Sequence, residues 1–264
     1  MNSLDLARGI YAPGRAIFGF IVRVANKPGV LWRVSKVFSD FNVNILGAAI
    51  PTLTPEVGET MLFFITDFTG SGASPGGILS ELRKLDVVLN ASIAVEEVEG
   101  GIFDTVHFPL TVHDVRCILL TEPALKGMVE TLRREMGSGG AAILFHIGSF
   151  MGSEVAKYYI EKYGIKDLVK VFTLVKYLIV AWGWGVVMDV RVDVEKVRVE
   201  LSVRGLWECS LYSGLTDSQS HFFRGFLAGF SSVMFNTSMG AVEVKCIAKG
   251  DECCRFIVEK RFSG

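Results

Sequence analysis

Ser220-His221-Phe222-Phe223-Arg224-Gly225-Phe226-Leu227-Ala228-Gly229-Phe230 is followed by Glu243-Val244-Lys245-Cys246 and then by Lys249-Gly250-Asp251-Glu252-Cys253-Cys254-Arg255-Phe256. Phe222, Phe226 and Phe230 recur at steps of four and share one face of a helix, here drawn from Phe222 to Phe235. Gly225 and Gly229 share another face, where missing side chains let a second helix or a ligand approach closely. Val242–Ala248 and Cys254–Glu259 read as a hairpin. With Lys249-Gly250-Asp251 as its loop, Cys246 stands opposite Cys254. Opposed residues on one face have Cβ atoms about 4.5–5.5 Å apart, which lets two thiolates share a tetrahedral zinc. Glu243 lies three residues from Cys246 and points to the other face unless the strand bulges or ends between them.

Working back along the chain, Gly183-Trp184-Gly185 turns into a strand pair, Val186–Val192 and Val197–Val203. Before it lie helices at Leu168–Val180 and Ala141–Tyr163, the latter carrying its own glycine pair, Gly148 and Gly152. Gly137-Ser138-Gly139-Gly140 reads as a loop after a helix that starts at Thr121-Glu122-Pro123, and Phe103–Leu120 reads as a strand or arm. This order of helices and strands over residues 105–261 resembles the 4-vinyl reductase-like domain, the small-molecule sensor type also found in phenol-responsive transcription activators. The resemblance implies helices packed on an antiparallel sheet and a pocket for a compact apolar ligand. It also implies a zinc held by a helix Cys, a strand Glu and the two hairpin Cys, the last three falling on Glu243, Cys246 and Cys254. The helix Cys position falls on Ser220, with His221 as the neighbouring imidazole able to ligate. The matching pocket residues are His146, Trp184, Trp207, Phe222 and Phe226; taken singly, each also reads as ordinary core. Cys253 faces the opposite side of its strand, and Cys117 and Cys209 read as plain buried thiols.

The first hundred residues carry a different period. Phe18–Ala25 is an apolar strand, Asn26-Lys27-Pro28-Gly29 a turn, and Val30, Leu31, Val34, Val37 and Phe38 a helical stripe. Strands follow at Asn42–Ile50 and Glu59–Phe68, then a helix opened by Ser74-Pro75, then a strand at Asn90–Val98. The order is βαββαβ, a ferredoxin-like unit. The run strand, Asn-Lys-Pro-Gly-Val-Leu, helix, Phe-Asn-Val-Asn-Ile resembles an ACT domain over residues 17–99, preceded by an arm at 1–16. That resemblance implies amino-acid binding between two copies at Asn26, Pro28, Gly29, Val30 and Leu31. There the turn presents the free N–H groups of the next helix to a carboxylate. The family's acidic residue is here Asn26, which accepts a hydrogen bond without bringing charge; the other reading is that this half only dimerises. Glu99-Gly100-Gly101 marks the boundary, so the fold class is α+β, with two unlike domains in one chain.

Composition narrows the function. Half of the 264 residues are hydrophobic, which calls for a large core, a buried dimer face or an apolar pocket. Lys and Arg number 27 against 28 Asp and Glu, so no electrostatic footprint for nucleic acid exists. The most apolar stretch, Val171–Val187, is broken by Lys176 and too short for a membrane span, and the first fifteen residues are not a signal peptide. Five cysteines without a secretory signal point to a reducing cytoplasm. No dinucleotide fingerprint, phosphate loop or catalytic triad appears. The expected function is a non-catalytic homodimeric sensor or carrier that reports to a separate output protein. A reductase of vinyl or related apolar substrates and a scaffold or trafficking-type subunit are the alternatives.

Overall fold

The computed structural model describes residues 3–6, 8–51, 57–94, 98–112, 114–164 and 167–261. The chain divides into two compact units, residues 1–118 and 119–264.

In the first unit a short strand β1 (Gly9–Tyr11) precedes β2 (Ile17–Ala25), α1 (Val30–Asp40), β3 (Asn44–Ala49), β4 (Glu59–Asp67), α2 (Pro75–Arg83) and β5 (Val88–Ile93). The antiparallel sheet has the order β3-β4-β2-β5, the ferredoxin-like arrangement that the strand and helix pattern predicts. Period-two alternation sends Phe20, Val22, Val24, Leu62 and Phe64 to one face, where Val34 and Phe38 of α1 and Ile78 and Leu82 of α2 cover them. Ser74 caps α2, its hydroxyl accepting from the Gly77 N–H at 3.1 Å, with Pro75 at the first helical position.

The opposite face is also buried, which explains why β4 reads as the unbroken apolar run Met61–Ile65. Phe63, Ile65, Ile17 and Ala94 pack there against Ile102 of β6 (Gly101–Phe103), which pairs antiparallel with β1. The arm and the start of the expected second domain therefore belong to this first unit. Arg8 ties them together through the Asp104 carboxylate at 2.6 Å and the His107 carbonyl at 2.8 Å. The boundary falls after Ile118, beyond the hairpin β7 (Thr111–Val112) and β8 (Val115–Arg116), because 101–116 pairs backward in the chain. Of the expected strand Asn90–Val98, residues 95–97 lie outside the described residues, as do 1, 2 and 7 of the arm.

The second unit runs α3 (Glu122–Met136), α4 (Ser138–Tyr163), α5 (Leu168–Ala181), β9 (Val186–Asp193), β10 (Arg198–Arg204), α6 (Trp207–Ser210), α7 (His221–Met234), β11 (Met239–Lys245) and β12 (Cys254–Lys260). Its antiparallel sheet has the order β11-β12-β10-β9. The glycine loop expected at 137–140 shrinks to Gly137 alone, with φ 51°. Gly140 is already helical, because only a missing side chain lets it lie against the Leu132 carbonyl of α3; a Cβ would stand 2.1 Å from that oxygen.

The two glycine pairs meet each other. A Cβ on Gly148 or Gly152 would lie 2.0 or 2.1 Å from the carbonyl oxygens of Phe222 and Phe226, and one on Gly225 or Gly229 would lie 2.0 or 1.9 Å from those of Phe145 and Ser149. Partner numbers rise together, so α4 and α7 run parallel, backbone against backbone. Ser153 adds a bond across the seam, its hydroxyl donating to the Gly229 carbonyl at 3.2 Å. No helix among the described residues is long and apolar enough to cross a membrane.

Candidate metal centre

Between Glu243 and Lys245 the β11–β12 register slips by one residue. This is the bulge that a same-face Glu243 and Cys246 require: it turns Glu243 inward and lets Cys246 follow toward Cys254. Past the bulge, Ile247–Lys249 forms a short 3₁₀ turn, so the strand ends at Lys245 and not at Ala248. Asp251 closes this knuckle by accepting from the Cys246 N–H at 2.8 Å. The Cys246 sulfur itself accepts from the backbone N–H groups of Gln219 and Ala248.

The fourth donor is Cys209 of α6. Ligand atoms of Cys209, Glu243, Cys246 and Cys254 all lie within 4.8 Å of one another, and all four residues are buried. Cys209 Sγ stands 3.5 Å from Glu243 Oε1. Three thiols and one carboxylate at this spacing suit a tetrahedral zinc, whose Zn–S bonds are about 2.3 Å long. Without a cation the thiol of Cys209 is held strongly protonated by its hydrogen bond with Cys254 and by burial. Burial raises Cys246 in the same way. A divalent ion would invert that preference.

Ser220 and His221 take other roles. Ser220, at the expected helix-cysteine position, orients the carboxylate: its hydroxyl donates to Glu243 Oε2 at 2.6 Å and its N–H at 3.3 Å. His221 is not among the clustered donors. One residue further on a helix turns the side chain by roughly a quarter-turn, and its Nδ1 lies 3.0 Å from Arg224 Nη2. Burial and the charges of Arg224 and Arg133 push its pKa down to about 4.

Glu208, next to Cys209, is a functional residue that sequence reading misses. Its carboxylate accepts from the N–H groups of Phe222 and Phe223 at 2.8 and 2.9 Å, capping α7 from a distant segment. Complete burial pushes its pKa up to about 8 against those two bonds. The only signal in the sequence is an acidic residue between Trp207 and Cys209.

Four of the expected pocket residues come together. Trp184 packs edge-on to Phe222 and Phe226 at 5.6 and 5.0 Å, and Trp207 to Phe222 at 5.8 Å. The row continues through Phe230 to Phe172. Beyond Phe230 lies an apolar void of about 10 Å³ walled by Ala156, Val171, Val175 and Met234. Tyr212 joins Trp184, Trp207 and Phe222 in one cluster, and its buried hydroxyl has no hydrogen-bond partner among the described residues. His146 sits apart, in an open groove with His221 and Arg224.

In the first unit Gly29 takes the left-handed φ of 83° and leaves α1 without a side-chain cap. Asn26 is turned away from its expected use: its amide donates to the Val57 carbonyl at 2.9 Å and anchors the turn. Val30 is buried while Leu31 is exposed.

An uncharacterised protein of Methanocaldococcus jannaschii is 28% identical over 124 residues, 47% of this chain and 66% of that protein, so the chain spans just under two thirds of that relative. The phenol-responsive sensory domain of the transcription activator PoxR, solved with phenol, superposes with a TM-score of 0.47 at 16% identity, covering 63% of this chain and 83% of that one. A vinyl-4-reductase family protein from Methanocaldococcus jannaschii gives 0.40 at 17% identity, covering 55% and 85%. The chain carries an ACT domain, matched by that family's sequence model over residues 20–87, followed by a 4-vinyl reductase-like domain, matched over residues 199–260.

Proposed function

We propose that this protein is a non-catalytic small-molecule sensor, acting as a homodimer, whose 4-vinyl reductase-like half holds a compact aromatic or apolar ligand and a structural zinc. The observation that carries the reading is the aromatic cluster of Trp184, Trp207 and Phe222 around the partnerless Tyr212 hydroxyl. Apolar walls with one convergent polar atom suit a phenol-like molecule, whose hydroxyl would satisfy Tyr212. The rings touch, so the ligand enters by parting them, with the void beside Phe230 taking up displaced volume.

The metal set supports a structural role. Four protein donors saturate a tetrahedral ion and leave no open position for a substrate. The ion would lock α6, the bulged β11 and β12 together, close to the start of α7 through Ser220. Binding at the aromatic cluster would thereby shift α7, and the shift would pass to an output protein. Exposed Ile147, Phe150 and Met151 form one stripe on α4 and support self-association. The uncapped N–H groups of α1 behind Gly29 support a second, amino-acid site in the ACT half, with the carboxylate on the helix end. The five thiols, none paired with another, support a reducing compartment such as the cytoplasm.

Native mass spectrometry of the purified chain tests the proposal. The expected species is a dimer with one zinc per chain that takes up phenol, and uptake falls in Tyr212→Phe. A metal-free monomer that ignores phenol would refute it.

A further inference from the structure

An open groove of about 370 Å³ on the second unit, separate from the thiol cluster and from the aromatic cluster around Tyr212, is lined by Ala141, Phe145 and His146 of α4, His221 and Arg224 of α7, and Arg261 after β12. Its polar lining is entirely nitrogen-bearing, and no carboxylate lines it among the described residues. The guanidinium groups of Arg224 and Arg261 lie 6.0 and 5.6 Å from the centre of the same Phe145 ring. Two cations gathered around one phenyl ring, unpaired with any acid among the described residues, repel each other unless an anion joins them.

The groove is built to hold these groups still. The Arg261 N–H is pinned to the Ser238 carbonyl at 2.9 Å. Its side chain lies along Gly240, where a Cβ would stand 3.2 Å from Cγ and Nε. Arg224 gives one Nη to His221 Nδ1, which fixes the imidazole with Nε2–H as a donor. Arg224 Nε is buried and has no partner among the described residues, an orphan donor in a site otherwise well satisfied.

Other sources of negative charge nearby are already committed. Glu208 is spent on the first N–H groups of α7, and Glu243 on Ser220 and the thiol cluster. The helix end is therefore not the anion holder; the side chains are. Arg133, stacked on Tyr212 at 4.6 Å, adds to the positive field around His221.

We propose that this groove binds a small organic anion, a carboxylate or phosphate ester carried on an apolar body. The planar fork of arginine matches both head groups in two-point contact. Phe145 and Ala141 form an apolar wall for the rest of the molecule, which favours an organic anion over a bare ion. The site thus gives the second unit a second input, independent of the aromatic cluster.

Calorimetric titration of the full chain at low salt tests it with benzoate, phenyl phosphate, inorganic phosphate and benzyl alcohol. Benzoate or phenyl phosphate should bind, and affinity should fall about tenfold in both Arg224→Gln and Arg261→Gln. It should also weaken with added salt. Tyr212→Phe should leave it unchanged, which separates this site from the phenol site. Arg261→Gln alters an exposed side chain at a strand end, so it reports even where Arg224→Gln perturbs folding. Unchanged affinity in Arg261→Gln, equal binding of benzyl alcohol, inorganic phosphate binding as tightly as phenyl phosphate, or no binding by any probe would each overturn the proposal.

Discussion

Replacing Gly229 with Ala should destabilise the second unit although alanine is the better helix former. The new Cβ would stand 1.9 Å from the Ser149 carbonyl oxygen and 2.7 Å from its carbon. It falls about 1.5 Å short of ordinary van der Waals contact. The obstacle is helix backbone, which cannot rotate away as a side chain does, so α4 and α7 must part along a seam that has no other filling. Overpacking of this kind costs about 1–3 kcal/mol, and a rigid obstacle puts it at the top of that range. The helix-propensity gain offsets about 1 kcal/mol, leaving a net loss of about 2 kcal/mol. Tryptophan fluorescence in urea measures this cleanly in a Trp32→Phe background. Trp32 is exposed in the first unit, whereas Trp182, Trp184 and Trp207 all lie in the second. The denaturation midpoint should drop at constant slope. Gly127→Ala on α3 is the counterpart: nothing lies within 4 Å of its Cβ position, so it should stabilise by about 0.5–1 kcal/mol. A Gly229→Ala midpoint equal to or above the parent's, or an equal fall in Gly127→Ala, would refute the close-seam argument.

Cys209→Ser should abolish zinc retention as completely as Cys246→Ser, read by metal analysis after desalting, while Cys253→Ser and Cys117→Ser retain it. Glu208→Ala leaves the buried N–H groups of Phe222 and Phe223 without an acceptor, and should lower the second unit's stability by about 2–3 kcal/mol in the same fluorescence assay. His221 should make stability pH-dependent. Its folded pKa is pushed down to about 4 from an ordinary 6.5. Between those values the unfolded chain therefore takes up a proton that the folded chain refuses, and stability falls as pH drops from 6.5 toward 4. The slope in that window should flatten in His221→Gln, measured by urea midpoints across pH.

Much of the fold was legible because its signals are local. The strict alternation in Ile17–Ala25 and the four-residue steps of Phe222, Phe226 and Phe230 each announce an element and its buried face. The capping Ser74 and the turn at Pro28-Gly29 did the same for element ends. The bulge was legible as a need, since Glu243 and Cys246 cannot otherwise share a face, although its place between Glu243 and Lys245 was not. The arm was misjudged because Gly9–Tyr11 and Gly101–Phe103 are a non-local pair: two short strands with no pattern of their own until they meet.

Two domains of different period, their order of elements, and a hairpin that brings Cys246 to Cys254 were all determined by the sequence. So was the presence of two helices that carry glycines at the spacing needed for close approach. Only the tertiary structure decided that those glycine faces are partners, that Cys209 completes the donor set, and that Ser220 and Glu208 secure the start of α7. It also turned His221 away from the thiols to face Arg224 and Arg261. The physical reason is direction. Chain spacing sets which residues share a face, but whether faces from distant segments converge depends on helix phase, strand bulges and the approach of whole backbones.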